Sequence, residues 1–91
     1  MDRDKIFKAI SPTGAVLVSM DIRTKYKEDS NREPENTIVY ARVYDYDGNK
    51  LSEEEYDYNY DENFELNEDR IKYIKMRLRV DKNIYLRHQI N

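Results

Sequence analysis

The clearest pattern in the chain is an alternation of apolar and polar positions with a period of two. Between Val16 and Thr24 every second side chain is apolar or β-branched, which is typical of a strand with one buried face. The segment from Thr37 to Tyr46 carries apolar groups on both faces, which predicts a central strand or one covered on both sides. Asp47-Gly48-Asn49 follows it and predicts a tight hairpin turn, because glycine adopts positive φ without a steric cost.

Three further segments extend the predicted sheet. Tyr56, Tyr58 and Tyr60 alternate with polar residues and predict a third strand. Ile74 to Val80 alternates apolar with basic residues without a break and predicts a fourth strand. Ile84 to Ile90 continues the alternation and predicts a fifth.

Helical signals are short and local. Asp2 to Ile10 has apolar residues at i, i+1 and i+4, with acids near its start, which predicts a short amphipathic helix ended by Ser11-Pro12-Thr13-Gly14. Ser52 and Glu55 have the spacing of a capping box, which predicts one helical turn before the tyrosine strand. The sequence thus places its helix at the N-terminus.

The remaining segments are predicted to be loops and turns. Lys27 to Asn36 contains a proline and mixed charges but no apolar side chain, which predicts an exposed, mobile loop. Asp81-Lys82-Asn83 predicts a turn, because asparagine tolerates the left-handed conformation. Leu66, Asn67 and Ile71 would suit a helix start, but the alternation after them favours a strand.

The predicted fold class is α+β and β-rich. Residues 1–91 are expected to form a single domain with a small antiparallel sheet of four or five strands, joined as a meander or by hairpins, and a short N-terminal helix. With 38% apolar and 38% charged residues the core is expected to be thin. Nine tyrosines supply apolar area whose hydroxyl groups can stay wet, as on a sheet surface or in a binding site.

Composition also indicates where the chain works. It has no cysteine, so we expect no disulfide framework and no thiolate metal site, which fits a cytoplasmic protein. The first residues lack the apolar segment of a signal peptide, and the longest apolar run, Ala15 to Val18, is too short to cross a membrane. A net charge of −3 argues against direct nucleic-acid binding by the whole domain.

Charge is sorted along the second half of the chain. Glu53 to Asp69 holds nine carboxylates and no base, whereas Arg70 to Asn91 holds seven bases and one acid. The acids could pair with the bases across an antiparallel ladder, with Glu55, Asp57 and Asp61 facing Lys75, Arg77 and Arg79. Alternatively, acids on a rigid face could imitate a phosphate backbone, although an extended strand carries only about one charge per 6 Å, against about one per 1.7 Å in duplex DNA.

Catalytic and metal chemistry have weak support in the residues. One histidine, His88, no cysteine and no glycine-rich loop leave little basis for nucleophilic or phosphate chemistry, so we expect a non-enzymatic protein without a cofactor. Asp57 to Glu68 spaces oxygen ligands like an EF-hand but has Glu62 where that loop needs glycine. Asp45 to Glu55 resembles such a loop with one residue deleted, and a hairpin explains it more simply.

In composition the chain resembles small phage or mobile-element proteins that inhibit host nucleic-acid machinery, being short, acidic, tyrosine-rich and without a catalytic signature. That resemblance implies a protein-binding inhibitor that docks an acidic, tyrosine-rich surface on the basic, nucleic-acid-binding groove of a host protein such as a defence nuclease. The predicted partner-binding residues are Glu53, Glu54, Tyr56, Asp57, Tyr58, Tyr60, Asp61, Glu62, Glu65, Glu68 and Asp69.

Two other functions stay open at this level. The chain could be an assembly protein that forms homo-oligomers through a sheet edge. It could also be a domain that binds Ca²⁺ weakly through residues 57–68. No membrane partner is expected.

Overall fold

The computed structural model describes residues 4–28 and 32–90. Within them lie five strands and one helix, which in chain order are β1 Lys5–Ser11, β2 Gly14–Tyr26, β3 Pro34–Tyr44, β4 Lys50–Asn59, α1 Glu68–Lys82 and β5 Tyr85–Gln89. The strands form one antiparallel sheet in the order β4-β3-β2-β1-β5. β1 to β4 are a meander, and α1 carries the chain from the β4 edge to the β5 edge.

The period-two pattern divides this sheet into two faces. In register, Phe7 lies opposite Val18, Val18 opposite Val43, and Val43 opposite Ser52, so these residues share one face. Ile74 of α1 packs on that face of the sheet, which we call the helix face. We call the opposite face of the sheet the open face. The core is therefore a single layer between the sheet and α1. It comprises Phe7, Ala9, Val16, Val18, Met20, Val39, Ala41, Val43, Phe64, Leu66, Ile74, Leu78 and Ile84.

Much of the sheet prediction is confirmed. The alternation from Val16 lies in β2, and the strand predicted from Thr37 is β3, which lies inside the sheet between β4 and β2. Gly48 has φ +90°, and its N–H donates to the Asp45 carbonyl at 3.1 Å, which closes the predicted hairpin between β3 and β4. Asn83 has the predicted left-handed conformation, with φ +58°, but Asp81 and Lys82 belong to α1, so the predicted turn is the C-terminal cap of that helix.

The predicted strand from Ile74 to Val80 is wrong, because this segment lies in α1. Asn67 caps the helix by accepting a hydrogen bond from the Arg70 N–H at 2.9 Å, and Asn83 ends it in the left-handed conformation. Acids occupy the first turn and bases the last turn, which suits the helix dipole. These end signals and a run of good helix formers outweigh the alternation.

The predicted N-terminal helix is also wrong, because its described part is β1. Phe7 and Ala9 face the core and pair with Val18 and Val16 of β2, so long-range pairing overrides a short helical pattern. The start of the predicted helix, Asp2, lies outside the described residues.

Two local predictions change as well. The helical turn predicted at Ser52 and Glu55 is wrong, since both residues lie in β4, where pairing with β3 replaces the capping box. The loop predicted from Lys27 to Asn36 is shorter, because β3 begins at Pro34. Residues 29–31 of that loop lie outside the described residues. No helix in the described ranges is long and apolar enough to cross a membrane.

The helix assignment can be tested with alanine substitutions. In α1, Ile74 and Leu78 are fully buried, whereas Met76 and Val80 are 41% and 63% exposed. We expect Ile74→Ala or Leu78→Ala to lower the free energy of unfolding by about 2–5 kcal/mol. Met76→Ala and Val80→Ala should change it by no more than about 0.5 kcal/mol.

Urea denaturation followed by circular dichroism measures these differences. If the alanine variants of the buried pair do not fold, Ile74→Val should still cost about 0.5–1.5 kcal/mol. Similar losses at all four positions would contradict the helix, because a strand would place all four side chains on one face.

Candidate functional site: an acidic edge and the groove beside it

The acidic run lies along the β4 edge of the sheet and continues into the start of α1. Glu53, Glu55 and Asp57 point to the open face, whereas Glu54 shares the helix face with Tyr56. The rest of the run forms the connection from β4 to α1 and the first helical turn. The structure therefore brings the predicted partner-binding residues to one edge of the molecule.

Two members of the run form ion pairs within the fold. Glu53 accepts hydrogen bonds from Arg42 at 2.8 Å and from Lys50 at 3.3 Å, and these two contacts hold the pKa of Glu53 below its ordinary value. Glu54 pairs with Lys82 of α1 at 3.0 Å. Both carboxylates therefore make contacts within the fold, and the pair of Glu54 with Lys82 joins β4 to the end of α1.

The other seven carboxylates of the run form no ion pair with any described residue. The predicted ladder with Lys75, Arg77 and Arg79 is wrong because these bases lie on a helix, where Arg77 pairs with Asp81 at 2.8 Å. All seven are exposed. We call them the acidic surface, which consists of Glu55, Asp57, Asp61, Glu62, Glu65, Glu68 and Asp69.

A groove of about 630 Å³ lies between β4 and α1. Its lining includes five carboxylates and two guanidinium groups, so negative charge dominates. Sequence reasoning missed the helical half of this groove, because reading the segment as a strand hides a spacing of four residues. The lining residues are Glu54, Glu55, Tyr56, Asp57 and Tyr58 on the strand, and Asp69, Arg70, Tyr73, Arg77 and Asp81 on the helix.

The predicted tyrosine anchors have different environments. Tyr56 and Tyr58 are half-buried against the core, whereas Tyr60 lies beyond the end of β4 and is 42% exposed. The Tyr58 ring lies 5.2 Å from that of Phe64, and the Arg70 guanidinium lies over both rings, at 5.4 and 4.2 Å from their centroids. Of the three predicted anchors, Tyr60 is thus the most exposed.

Burial affects the hydroxyl groups of the two inner tyrosines. It raises the pKa of Tyr56 to about 12, with a further contribution from the negative charge of Glu54. Burial also raises the pKa of Tyr58, whose hydroxyl is enclosed and makes no hydrogen bond with the described residues. Both side chains therefore remain neutral well into the alkaline range.

A polar network on the open face was not predicted. Asp21 is only 5% exposed, and its carboxylate accepts hydrogen bonds from Arg42 and, at 2.8 Å, from Arg23. Arg42 extends the network to Glu53, and its guanidinium lies 4.9 Å from the centroid of the Tyr40 ring. Opposite charges at outward positions of neighbouring strands were visible in the sequence, but their contact depends on a strand register that it does not state.

The two calcium-like segments have other roles in the fold. Asp57 and Asn59 belong to β4 and Glu68 opens α1, so the first segment is not one continuous loop. The Asp45 carboxylate accepts hydrogen bonds from the Asn49 side chain and from the backbone N–H groups of Asp47 and Asn49. Among the described residues, no group of three or more potential ligands is arranged to hold a metal ion. His88 is exposed on β5, in register with Lys8.

Comparison with protein-family models, with curated proteins and with solved structures finds no match for this chain.

The open-face network should contribute to stability through Arg42. Arg42→Gln leaves the buried Asp21 with Arg23 alone, and we expect a loss of about 2–4 kcal/mol in the free energy of unfolding. Lys50→Gln, at the exposed end of the network, should cost no more than about 1 kcal/mol. Urea denaturation measures the free energy of unfolding of each variant. An equal loss in Arg42→Gln and Lys50→Gln would show that Arg42 does not compensate the buried charge of Asp21.

The groove tyrosines predict an alkaline loss of stability. An unfolded tyrosine ionises near pH 10, whereas Tyr56 in the folded chain resists ionisation up to about pH 12. The unfolded state therefore releases protons first, and the free energy of unfolding should fall as the pH rises from about 10 to about 12.

Tyr56→Phe should make this alkaline decline shallower, whereas Tyr46→Phe, at an exposed position, provides the control. Ultraviolet absorbance of the tyrosinate form follows the titration, and denaturation at each pH follows stability. Ionisation of all nine tyrosines in one step near pH 10 would contradict the burial of Tyr56.

Proposed function

We propose that this chain is a non-enzymatic protein-binding module that docks the acidic surface on a basic, nucleic-acid-binding groove of a partner protein. The observation that carries the proposal is the set of seven exposed carboxylates without an ion pair among the described residues. Like charges on one surface repel each other, and a partner that supplies cations relieves this repulsion and is attracted over a distance. A small phage or mobile-element inhibitor of a host nuclease would use such a surface.

The arrangement favours contacts with separate basic side chains over imitation of a DNA duplex. On β4, the outward acids Glu53, Glu55 and Asp57 are two residues apart, or about 6.6 Å. Phosphate charges of duplex DNA follow each other about every 1.7 Å along the axis. The acidic surface therefore suits a protein groove with spaced lysine and arginine side chains.

An amide variant tests the docking proposal. Asp57→Asn, Asp61→Asn, Glu62→Gln and Glu65→Gln together remove four charges from the acidic surface. The immobilised parent chain should capture nucleic-acid-binding proteins from a bacterial lysate and release them on addition of duplex DNA or salt. The amide variant should lose this capture while keeping its melting temperature.

A matched control removes the same charge elsewhere. It replaces four acids outside the acidic surface, in the β2–β3 region and the β3–β4 hairpin, and consists of Glu28→Gln, Glu33→Gln, Glu35→Gln and Asp47→Asn. This control should still capture the same proteins. Unchanged capture by the amide variant, or equal loss in both variants, would contradict docking through the acidic surface.

Self-association through the sheet is the second candidate function, and the outer edges of β4 and β5 are the observation that favours it. Mass measurement at several salt concentrations separates the two functions. An oligomer whose mass does not change with salt would support assembly and count against docking.

A further inference from the structure

β4 is an edge strand whose outer side pairs with no other described strand. Its one partner in residues 4–28 and 32–90 is β3, and their register is regular from Ser52 to Asn59, with one irregularity near the hairpin. In an antiparallel pair, every second residue of an edge strand directs its N–H and C=O groups away from its partner. Up to eight consecutive residues of β4 thus present a template on which another strand can form.

The groove follows this edge. Its strand side consists of five consecutive residues, Glu54 to Tyr58, so side chains from both faces of β4 contribute to it. Its helix side includes Asp69, Tyr73, Arg77 and Asp81, which recur every four residues along α1. This stripe is about 18 Å long at 1.5 Å per residue, which matches an extended segment of five or six residues at about 3.3 Å each.

Charge selects the chemistry of the segment. Of the five lining carboxylates, Glu54 and Asp81 already pair with Lys82 and Arg77. The remaining three are exposed and belong to the acidic surface, namely Glu55, Asp57 and Asp69. An acidic or neutral segment would leave them uncompensated. In a basic segment, lysine or arginine at alternate positions would meet Glu55 and Asp57 on the open face, and the positions between them would face Asp69 and α1.

We propose that an extended, lysine- or arginine-rich segment of the partner protein adds to the outer edge of β4 as a sixth strand and fills the groove against α1. Backbone hydrogen bonds to β4 supply affinity, and Glu55, Asp57 and Asp69 select basic side chains. This inference rests on the proposed function, because it specifies how part of the acidic surface is engaged. The β5 edge is five residues long and carries Arg87 and His88, so it does not attract a basic strand.

Synthetic peptides test strand addition directly. The probe is the hexapeptide Lys-Val-Lys-Val-Lys-Val with blocked ends. One comparison peptide is N-methylated at alternate backbone nitrogens on its pairing edge, and another has glutamate in place of lysine. Calorimetry should show that N-methylation weakens binding by about tenfold or more, because each lost hydrogen bond contributes a factor of several. The glutamate peptide should not bind.

Two triple variants separate the groove from general charge attraction. The first triple removes the charges of the three unpaired acids in the groove, by Glu55→Gln, Asp57→Asn and Asp69→Asn. The second removes three charges from the loop between β4 and α1, by Asp61→Asn, Glu62→Gln and Glu65→Gln. The first triple should weaken binding of the lysine peptide by about tenfold, and the second by less than about threefold. Hydrogen exchange should show protection of alternate amides between residues 54 and 58 on binding, and none on β5.

Each outcome decides the proposal. Equal binding of the methylated peptide, or equal effects of the two triples, would overturn strand addition and leave docking on the acidic surface intact. Protection of β4 amides at high protein concentration without peptide would identify a second copy as the occupant and overturn the proposal. Failure of every peptide to bind would overturn it too, while lysate capture would still test the proposed function separately.

Discussion

The packing of α1 against one face of the sheet is the contact on which the rest of the structure depends. Ile74 and Leu78, one turn apart, fill the single core layer with side chains from the strands. Because α1 runs from the end of β4 to the start of β5, the same packing links the two edges of the sheet. It also sets the helix beside β4, which creates the groove and encloses Tyr56 and Tyr58.

One helix cannot cover both faces of a five-stranded sheet, so the open face depends on its own side chains. Ile38 is only 4% exposed there although no described helix covers it, and Asp21 is enclosed by its contacts with Arg23 and Arg42. Long arginine side chains cover apolar surface with their methylene groups while their charged ends pair with acids. The network engages Glu53, as Lys82 engages Glu54, and the seven carboxylates of the acidic surface are left without an ion pair among the described residues.

Sequence patterns predicted most of the strands because their periodicity follows directly from burial on one face. They failed where two explanations fit the same residues. The segment from Ile74 to Val80 alternates apolar and polar residues as a strand does. Of its four apolar residues, only Ile74 and Leu78 are buried, and their separation of four residues is the spacing of one face of a helix. Phe7 and Ala9 would fit a helix or a strand, and they form a strand because they pair with Val18 and Val16 of β2.

The candidate site divides in the same way. Its strand half, from Glu53 to Tyr60, was predicted from charge and alternation within one segment. Its helical half depends on contacts between residues distant in sequence, such as Arg70 with Tyr58. No local pattern states which residues α1 will place opposite β4.

Acids along an edge strand discourage pairing with most other strands and favour pairing with basic ones. An unprotected edge of this length would pair with strands of many proteins, and charge on the edge discourages such pairing. The deterrent acts against neutral and acidic strands, since these leave Glu55 and Asp57 without compensation. A basic strand experiences attraction at the same positions. The charges that keep β4 from indiscriminate pairing are therefore the same charges that would admit one class of partner, and a mutation that neutralises them should weaken protection and selection together.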